Sequence, residues 1–258
     1  MIIRIRATWR WLRLITHVIV GLSLTLLLTG ILRRSSTSPV FQRTKQWWLS
    51  KVVRIIGGQL QVTGSLLPGA KLVVANHVSW LDIPVLGAVL NPSFLSKAEV
   101  QYWPVIGWLA NQAGTLYITR GQAGAANQAA NTIVQALREN QTVLLFPEGT
   151  TSDGQDVKTF HARLFAPALE ANVPVQPIAV RYLAANGKLS TVVPYIGEQS
   201  LLQNLHALLR EPFIKIEVHC LEPIDSTGLA RKTLAQHCEL AIRAIVAPAS
   251  SALLSATF

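Results

Sequence analysis

At 258 residues the chain is long enough to bury a full core, so one domain with an appendage is the expected organisation. It is half apolar and only 14% charged, high and low respectively for a soluble protein, and its net charge is +10. Residues 1–54 hold ten Arg and Lys and no Asp or Glu, whereas residues 55–258 hold thirteen of each sign. A nucleic-acid binder more often spreads its basic charge over the folded domain; an excess confined to one end fits a segment facing anionic lipid, at about 1 kcal/mol per residue near the surface. Nucleic acid is therefore not an expected partner.

Leu14 to Leu32 is a run of nineteen residues without Asp, Glu, Lys or Arg, about the length that crosses a hydrocarbon core. Its polar members His17, Ser23, Thr25 and Thr29 suit a helix that satisfies them on its own backbone. Two readings stay open: a spanning helix, or one lying in a single leaflet with Trp9, Trp11, Trp47 and Trp48 as interfacial anchors. A cleaved signal peptide fits less well, because no small-x-small site follows the run; Arg33-Arg34 does. Basic residues on both flanks leave orientation undecided.

Residues 1–35 read as a membrane-anchoring segment, with Ser35 to Pro39 as a short hinge. Residues 36–58 form an amphipathic juxtamembrane helix, since Phe41, Trp48, Val52, Ile55 and Ile56 recur at helical spacing. The catalytic body covers 59–247, and 248–258 is a flexible tail. Within the body, strands are expected over 59–63, 71–75, 93–96, 114–118, 142–146, 174–180, 191–195 and 213–220. Helices are expected over 82–90, 124–139, 160–171 and 227–246. Strands alternate with helices, so the fold class is α/β, a largely parallel mixed sheet flanked by helices. Cys220 and Cys238 match no metal or redox spacing and read as buried free thiols.

Three places carry chemistry. In Asn76-His77-Val78-Ser79-Trp80-Leu81-Asp82, a histidine follows an apolar run and an aspartate stands five residues on. Residues five apart on one helix point about 140° away from each other, so the pair meets only if the chain turns between them. Pro84 supports that turn, because proline belongs in the first helical turn. Neutral histidine is a suitable base near pH 7, and a carboxylate fixes its tautomer. The plainer alternative is that Asp82 caps a helix, with Ser79-x-x-Asp82 as a capping box. Phe146-Pro147-Glu148-Gly149-Thr150 ends a second apolar run with a carboxylate, a glycine and hydroxyls, which is either an anion-holding turn or an ordinary polar loop. Arg120 closes the strand-like run Gly114–Thr119 and suits an anion through its planar fork; Lys97, after Phe94-Leu95-Ser96, is a weaker case. No His-Glu-x-x-His, Cys-x-x-Cys, Gly-x-Ser-x-Gly, phosphate loop or GxGxxG occurs. Metal and cofactor readings thus lack sequence support.

These residues resemble the glycerolipid acyltransferases typified by 1-acylglycerol-3-phosphate acyltransferase. The likeness covers roughly residues 55–225. Four motifs stand in that family's order: Asn76-His77-x4-Asp82, Gly114 to Arg120, Phe146 to Thr150, and Val173-Pro174-Val175-Gln176-Pro177. The resemblance implies transfer of a fatty acyl group from an acyl-CoA or acyl carrier protein thioester to a lysolipid hydroxyl, without a bound cofactor or metal, on the cytoplasmic face of a membrane. It implies His77 as general base, Asp82 as its orienter, Arg120 on the acceptor's phosphate, and Glu148 with Gly149 and Thr150 helping to bind the acceptor. Pro177 would line an acyl pocket. The first acceptor it suggests is 1-acyl-sn-glycerol 3-phosphate, giving phosphatidic acid. One departure points elsewhere: many relatives carry Phe-Lys or Phe-Arg after the third motif, whereas Phe160-His161-Ala162-Arg163 stands here. Phe160 to Phe165, together with Val175-Gln176-Pro177, resembles the branch that acylates lyso-ornithine lipid, where Arg120 would meet a carboxylate instead.

Overall fold

The computed structural model describes residues 2–118 and 125–247. Seven strands make one sheet: β1 (Gly58–Thr63), β2 (Lys71–Ala75), β3 (Ser93–Lys97), β4 (Leu116–Ile118), β5 (Thr142–Leu145), β6 (Val175–Leu183) and β7 (Ile214–Cys220). Their order is β1-β7-β6-β2-β5-β3-β4. Every neighbouring pair is parallel except β6 with β7. The helices are α1 (Ile2–Thr25), α2 (Pro39–Ile55), α3 (Asp82–Leu90), α4 (Ile106–Gln112), α5 (Ala125–Arg138), α6 (Ala166–Ala171), α7 (Leu201–Arg210) and α8 (Arg231–Val246).

The two-residue period of the strands divides the core. Val73, Ala75, Ile178, Val180 and Tyr182 face one layer, against α2, α3 and α7. Leu72, Val74, Val143, Leu145 and Ala179 face the other, against α5, α6 and α8. β2 is buried at all five positions, as a central parallel strand covered by helices on both faces requires. Cys220 and Cys238 are free and buried, and burial pushes the Cys238 thiol up to about 12.

Three expectations are corrected. Residues 191–195 are not a strand: the Ser190 hydroxyl accepts the N–H groups of Val192 and Val193 at 3.3 and 3.2 Å, and Pro194 has no N–H to give a ladder. The expected helix over 160–171 is instead a 3₁₀ turn, Ala162–Phe165, followed by α6. Pro167 belongs to the first turn of that second helix rather than to the interior of a longer one. The helices α4 and α7 were not anticipated. The signal for α7 is a capping box, in which Ser200 and Gln203 bond each other's backbone N–H groups. The expected tail, 248–258, lies outside the described residues.

The apolar N-terminal run is helical from Ile3 to Ile31, closing with a π-helical segment, Leu26–Ile31. One face of it packs along the domain. Ala7, His17, Gly21 and Leu28 are buried at helical spacing. His17 and Trp48 exchange bonds: His17 Nε2 meets the Trp48 carbonyl at 3.0 Å, and Trp48 Nε1 donates to the His17 carbonyl at 2.9 Å. Trp11 Nε1 donates to His206 on α7 at 3.2 Å. Arg10 donates to the carbonyls of Leu209, Glu211 and Pro212, and Arg6 to that of Arg210, all at the C-terminal end of α7. Two of the N-terminal cations therefore cap a helix, where the dipole favours positive charge, rather than facing lipid. The opposite face of α1 exposes Ile5, Trp9, Leu12, Ile15 and Ile19, and the π-helical segment continues it with Leu27.

Candidate active site

The C-terminal ends of β2, β5, β3 and β4 share one edge of the sheet, where an open α/β fold builds its sites. β2 ends at Ala75, and the next residue extends the ladder with its side chain. Asn76 Nδ2 donates to the Val180 carbonyl at 2.9 Å, and Val180 N–H donates to Asn76 Oδ1 at 2.8 Å. His77 then leaves the sheet on a turn that ends in α3.

Asp82 is the first residue of α3 and is fully buried. Its carboxylate turns back over the preceding chain instead of capping its own helix. Oδ2 lies 2.7 Å from His77 Nδ1 and accepts the N–H groups of Val78 and Ser79 at 2.8 and 3.0 Å. Tyr182 O–H donates to Oδ1 at 2.6 Å. The Ser79 hydroxyl has no partner among the described residues, so only half of the capping box forms, the Asp82 carboxylate on the Ser79 N–H. Pro84 sits in the first turn, as expected. An ionised Asp82 that accepts from Val78, Ser79 and Tyr182 offers Nδ1 only an acceptor, so in the neutral ring Nδ1 carries the proton and Nε2 is the acceptor; a fifth of the His77 side chain is exposed. The ring stacks on Phe146, with centroids 4.0 Å apart and planes 13° from parallel.

Glu148 binds the two motifs together. Oε1 accepts the His77 N–H at 2.7 Å and Oε2 accepts the Lys158 N–H at 3.0 Å. Burial pushes its carboxyl up, and these two backbone donors, with the Lys158 charge and that of His77 when it is protonated, oppose that. The His77 carbonyl in turn accepts the Ser152 N–H at 2.8 Å. The resemblance implied that Glu148 helps bind the acceptor; each of its oxygens here accepts one N–H of the protein's own backbone. Glutamine offers one acceptor and one donor there, so one N–H would face an NH₂. Glu148→Gln is expected to cost about 1–3 kcal/mol of stability by thermal denaturation and to lower kcat more than it raises the acceptor KM. A change in acceptor KM alone would return Glu148 to direct binding.

The other expected residues are dispersed. Thr150 is exposed on an open groove of about 950 Å³, which it shares with Thr151, Asp153, Lys158 and Tyr195. Gly149 takes a positive φ of 70°, which glycine supplies cheaply, and its N–H closes the turn on the Phe146 carbonyl. Lys97 is exposed at the end of β3. Pro177 is buried inside β6 opposite Val74, and it lines neither the groove nor the cavity described next. Arg120 lies outside the described residues. In the Phe160–Arg163 segment, Phe160 is buried in the core while His161 and Arg163 are exposed.

An apolar cavity of about 170 Å³ lies between α1, α2 and α4, lined by Leu28, Phe41, Trp48, Ile83, Phe94 and Leu109. Ile83, the residue after Asp82 on α3, is one of its walls. Outside it, the segment from Tyr102 to Trp108 exposes Tyr102, Trp103, Val105 and Ile106.

Sequence reasoning missed Tyr182, the bonding of Ser152 to the His77 carbonyl, and the stacking of Phe146 on His77. A signal for Tyr182 was present. It shares a strand face with Ile178 and Val180, and a hydroxyl at that depth needs a partner.

Three comparisons bear on this constellation. The family model described as Acyltransferase matches residues 59–181. A lyso-ornithine lipid O-acyltransferase of Pseudomonas aeruginosa is 42% identical, over 93% of each chain. A 1-acyl-sn-glycerol-3-phosphate acyltransferase of Neisseria gonorrhoeae is 34% identical, over 70% of this chain and 71% of that one. Among solved structures, the 1-acyl-sn-glycerophosphate acyltransferase of Thermotoga maritima superposes with a TM-score of 0.70 at 19% identity, covering 94% of this chain and 93% of that one. At that identity the structural likeness speaks for the fold.

Proposed function

This chain belongs to the acyltransferase family, and we propose that it esterifies the hydroxyl of lyso-ornithine lipid with a fatty acyl group, using His77 as general base. That it is an O-acyltransferase acting on lysolipids follows from the family and its relatives. The residue roles and the acceptor are our reading. The observation that carries the roles is the 2.7 Å contact between His77 Nδ1 and a fully buried Asp82. It leaves Nε2 to take the acceptor's proton as the hydroxyl oxygen attacks the thioester carbonyl. The imidazolium then protonates the departing thiolate. Asp82 stabilises the imidazolium between these steps, and each proton moves between substrate and Nε2 alone. No covalent acyl-enzyme and no cofactor enters the route.

The choice of acceptor rests on the relative with 42% identity over nearly the whole chain, against 34% over 70% for the phosphatidic acid-forming relative. The groove beside Thr150 adds support: it presents Asp153 and Lys158, a carboxylate and an ammonium that suit a zwitterionic head group. The second reading is acylation of 1-acyl-sn-glycerol 3-phosphate. It is favoured by the Neisseria relative and by Arg120 at the end of the second motif.

We further propose that α1 lies in one leaflet rather than crossing the bilayer. A crossing helix would carry α7 and α2 into the hydrocarbon, because it is bonded to both along its length. Its apolar outer face, with Trp47 and the Tyr102–Trp108 segment, would rest among the acyl chains. The cavity that Ile83 helps to wall would receive an acyl chain from that side. The active site would face the cytoplasm, where coenzyme A and acyl carrier protein thioesters are held.

The test is acyl transfer by purified protein from each thioester to an equimolar mixture of lyso-ornithine lipid and lysophosphatidic acid, read by mass spectrometry. We expect ornithine lipid as the main product. Phosphatidic acid in excess would select the second reading.

A further inference from the structure

Tyr182 lies on β6, outside all four sequence motifs, yet it is the one side chain that reaches Asp82 Oδ1 among the described residues. From this geometry we infer that Tyr182 is a positioning residue for the His77–Asp82 pair, holding the second carboxylate oxygen so that the first stays aimed at His77 Nδ1. The inference rests on the reading of His77 as base.

The two oxygens of Asp82 are used unequally. Oδ2 takes His77 Nδ1–H and the N–H groups of Val78 and Ser79. All three donors belong to the turn that Asp82 itself closes, so they cannot fix the carboxylate relative to the sheet. Tyr182 does so from a separate strand. It is buried in the core cluster that includes Val180, Val193, Leu208 and Ile216, it pairs with Ile216 across β6 and β7, and its O–H donates at 2.6 Å.

The register of β6 is itself locked at this point. Ala75 pairs with Ile178, and the Asn76 amide exchanges two bonds with Val180. Tyr182 is the next residue on the same face of the strand. Asn76, beside His77 in sequence, therefore sets the height at which the phenol arrives at Asp82. Burial and the adjacent carboxylate push the Tyr182 phenol well above its ordinary range, so it remains a donor wherever the enzyme works.

The consequence is electronic as well as geometric. A charge-assisted hydrogen bond spreads the negative charge of Asp82. Without it, the carboxylate holds an imidazolium more tightly, and His77 is available as a neutral base only at higher pH. The other titratable groups packed around this pair are Glu148 on the His77 N–H, Lys158 behind Glu148, and Tyr195, whose N–H meets the Val78 carbonyl. None of the three hydrogen-bonds the Asp82 carboxylate.

The experiment is the pH profile of kcat/KM for Tyr182→Phe, which keeps the ring and removes the donor. We expect kcat to fall about ten-fold or more, in line with loss of a hydrogen bond to a charged group, with both substrate KM values unchanged and the acid limb displaced to higher pH. Incorporating 3-fluorotyrosine at position 182, a stronger donor of nearly the same shape, should displace that limb to lower pH. In an Asp82→Asn background, Tyr182→Phe should have little further effect, because its partner is already altered. An unmoved acid limb, or losses that multiply independently in the double variant, would overturn the inference. If Asp82→Asn itself left the rate intact, the base reading would fail instead.

Discussion

Replacing His77 with alanine is expected to lower turnover by about 10²–10⁴-fold while leaving the fold and membrane association intact, as loss of a general base does. The expectation of an intact fold is specific to this site. His77 holds the structure through its backbone: its N–H on Glu148, its carbonyl on Ser152. Both survive in alanine. The imidazole contributes the stack on Phe146 and one of the donors to Asp82. Asp82 keeps the Val78 and Ser79 N–H groups and the Tyr182 hydroxyl, so the buried carboxylate is not orphaned, and the stability cost should stay within about 1–2 kcal/mol. The effect should fall on kcat with little change in KM for either substrate, since a base acts mainly in the transition state. Product formation by mass spectrometry and thermal denaturation, run on one preparation, separate the outcomes. Activity near that of the parent protein would refute the assignment, and a variant that fails to fold would refute the account of what the backbone does.

Much of this site was legible in the sequence because the chain builds it at strand ends. The run Leu72–Val74 before His77 and the run Val143–Leu145 before Phe146 read as buried strands and are strands β2 and β5, adjacent in the sheet. The need for a turn between His77 and Asp82 followed from helical geometry, and Pro84 marked where the helix begins. Other features were illegible for a physical reason: they depend on pairing between distant strands. Tyr182 lies 100 residues from Asp82 in sequence. Only the β2–β6 register, set by Asn76 on Val180, brings the two together. The burial of Glu148 is similar. A glutamate in a glycine-containing loop reads as a solvent-facing ligand, and its capture by two backbone N–H groups arises only once β2 and β5 are paired. The N-terminal helix shows the opposite limit. Its hydropathy is plain in the sequence from Leu14 to Ile31. Hydropathy nevertheless does not reveal which face of a helix is already occupied by protein. Arg6, Arg10, Trp11 and Trp48 read as interfacial residues, yet each bonds protein atoms.

The second large effect is expected at Asp82→Asn, and it should differ in kind from that at His77. Asparagine is nearly the same size, so no cavity forms. It presents one acceptor oxygen and one NH₂ where the carboxylate presents two acceptors. In the native site every group that meets Asp82 is a donor: Nδ1–H of His77, two backbone N–H groups and the Tyr182 hydroxyl. Whichever way the amide turns, an NH₂ faces at least one of them. If the NH₂ points at His77, it donates to Nδ1; the proton then moves to Nε2, and the imidazole can no longer take one from the acceptor. If it points at Tyr182, the hydroxyl must rotate, and a neutral amide remains to hold an imidazolium that needs a charge. Turnover should fall by about 10²–10⁴-fold in either case, because an aspartate's role is to fix the tautomer and stabilise the cation. Stability should fall as well, by about 1–3 kcal/mol, since buried N–H groups lose their shared acceptor. His77→Ala is thus expected to be inactive and nearly as stable as the parent, and Asp82→Asn inactive and less stable. Equal thermal stability in the two variants would mean that the carboxylate does not anchor the turn. Retained activity in Asp82→Asn would mean that Asp82 does not orient His77, and the reading of the pair as base and orienter would fail.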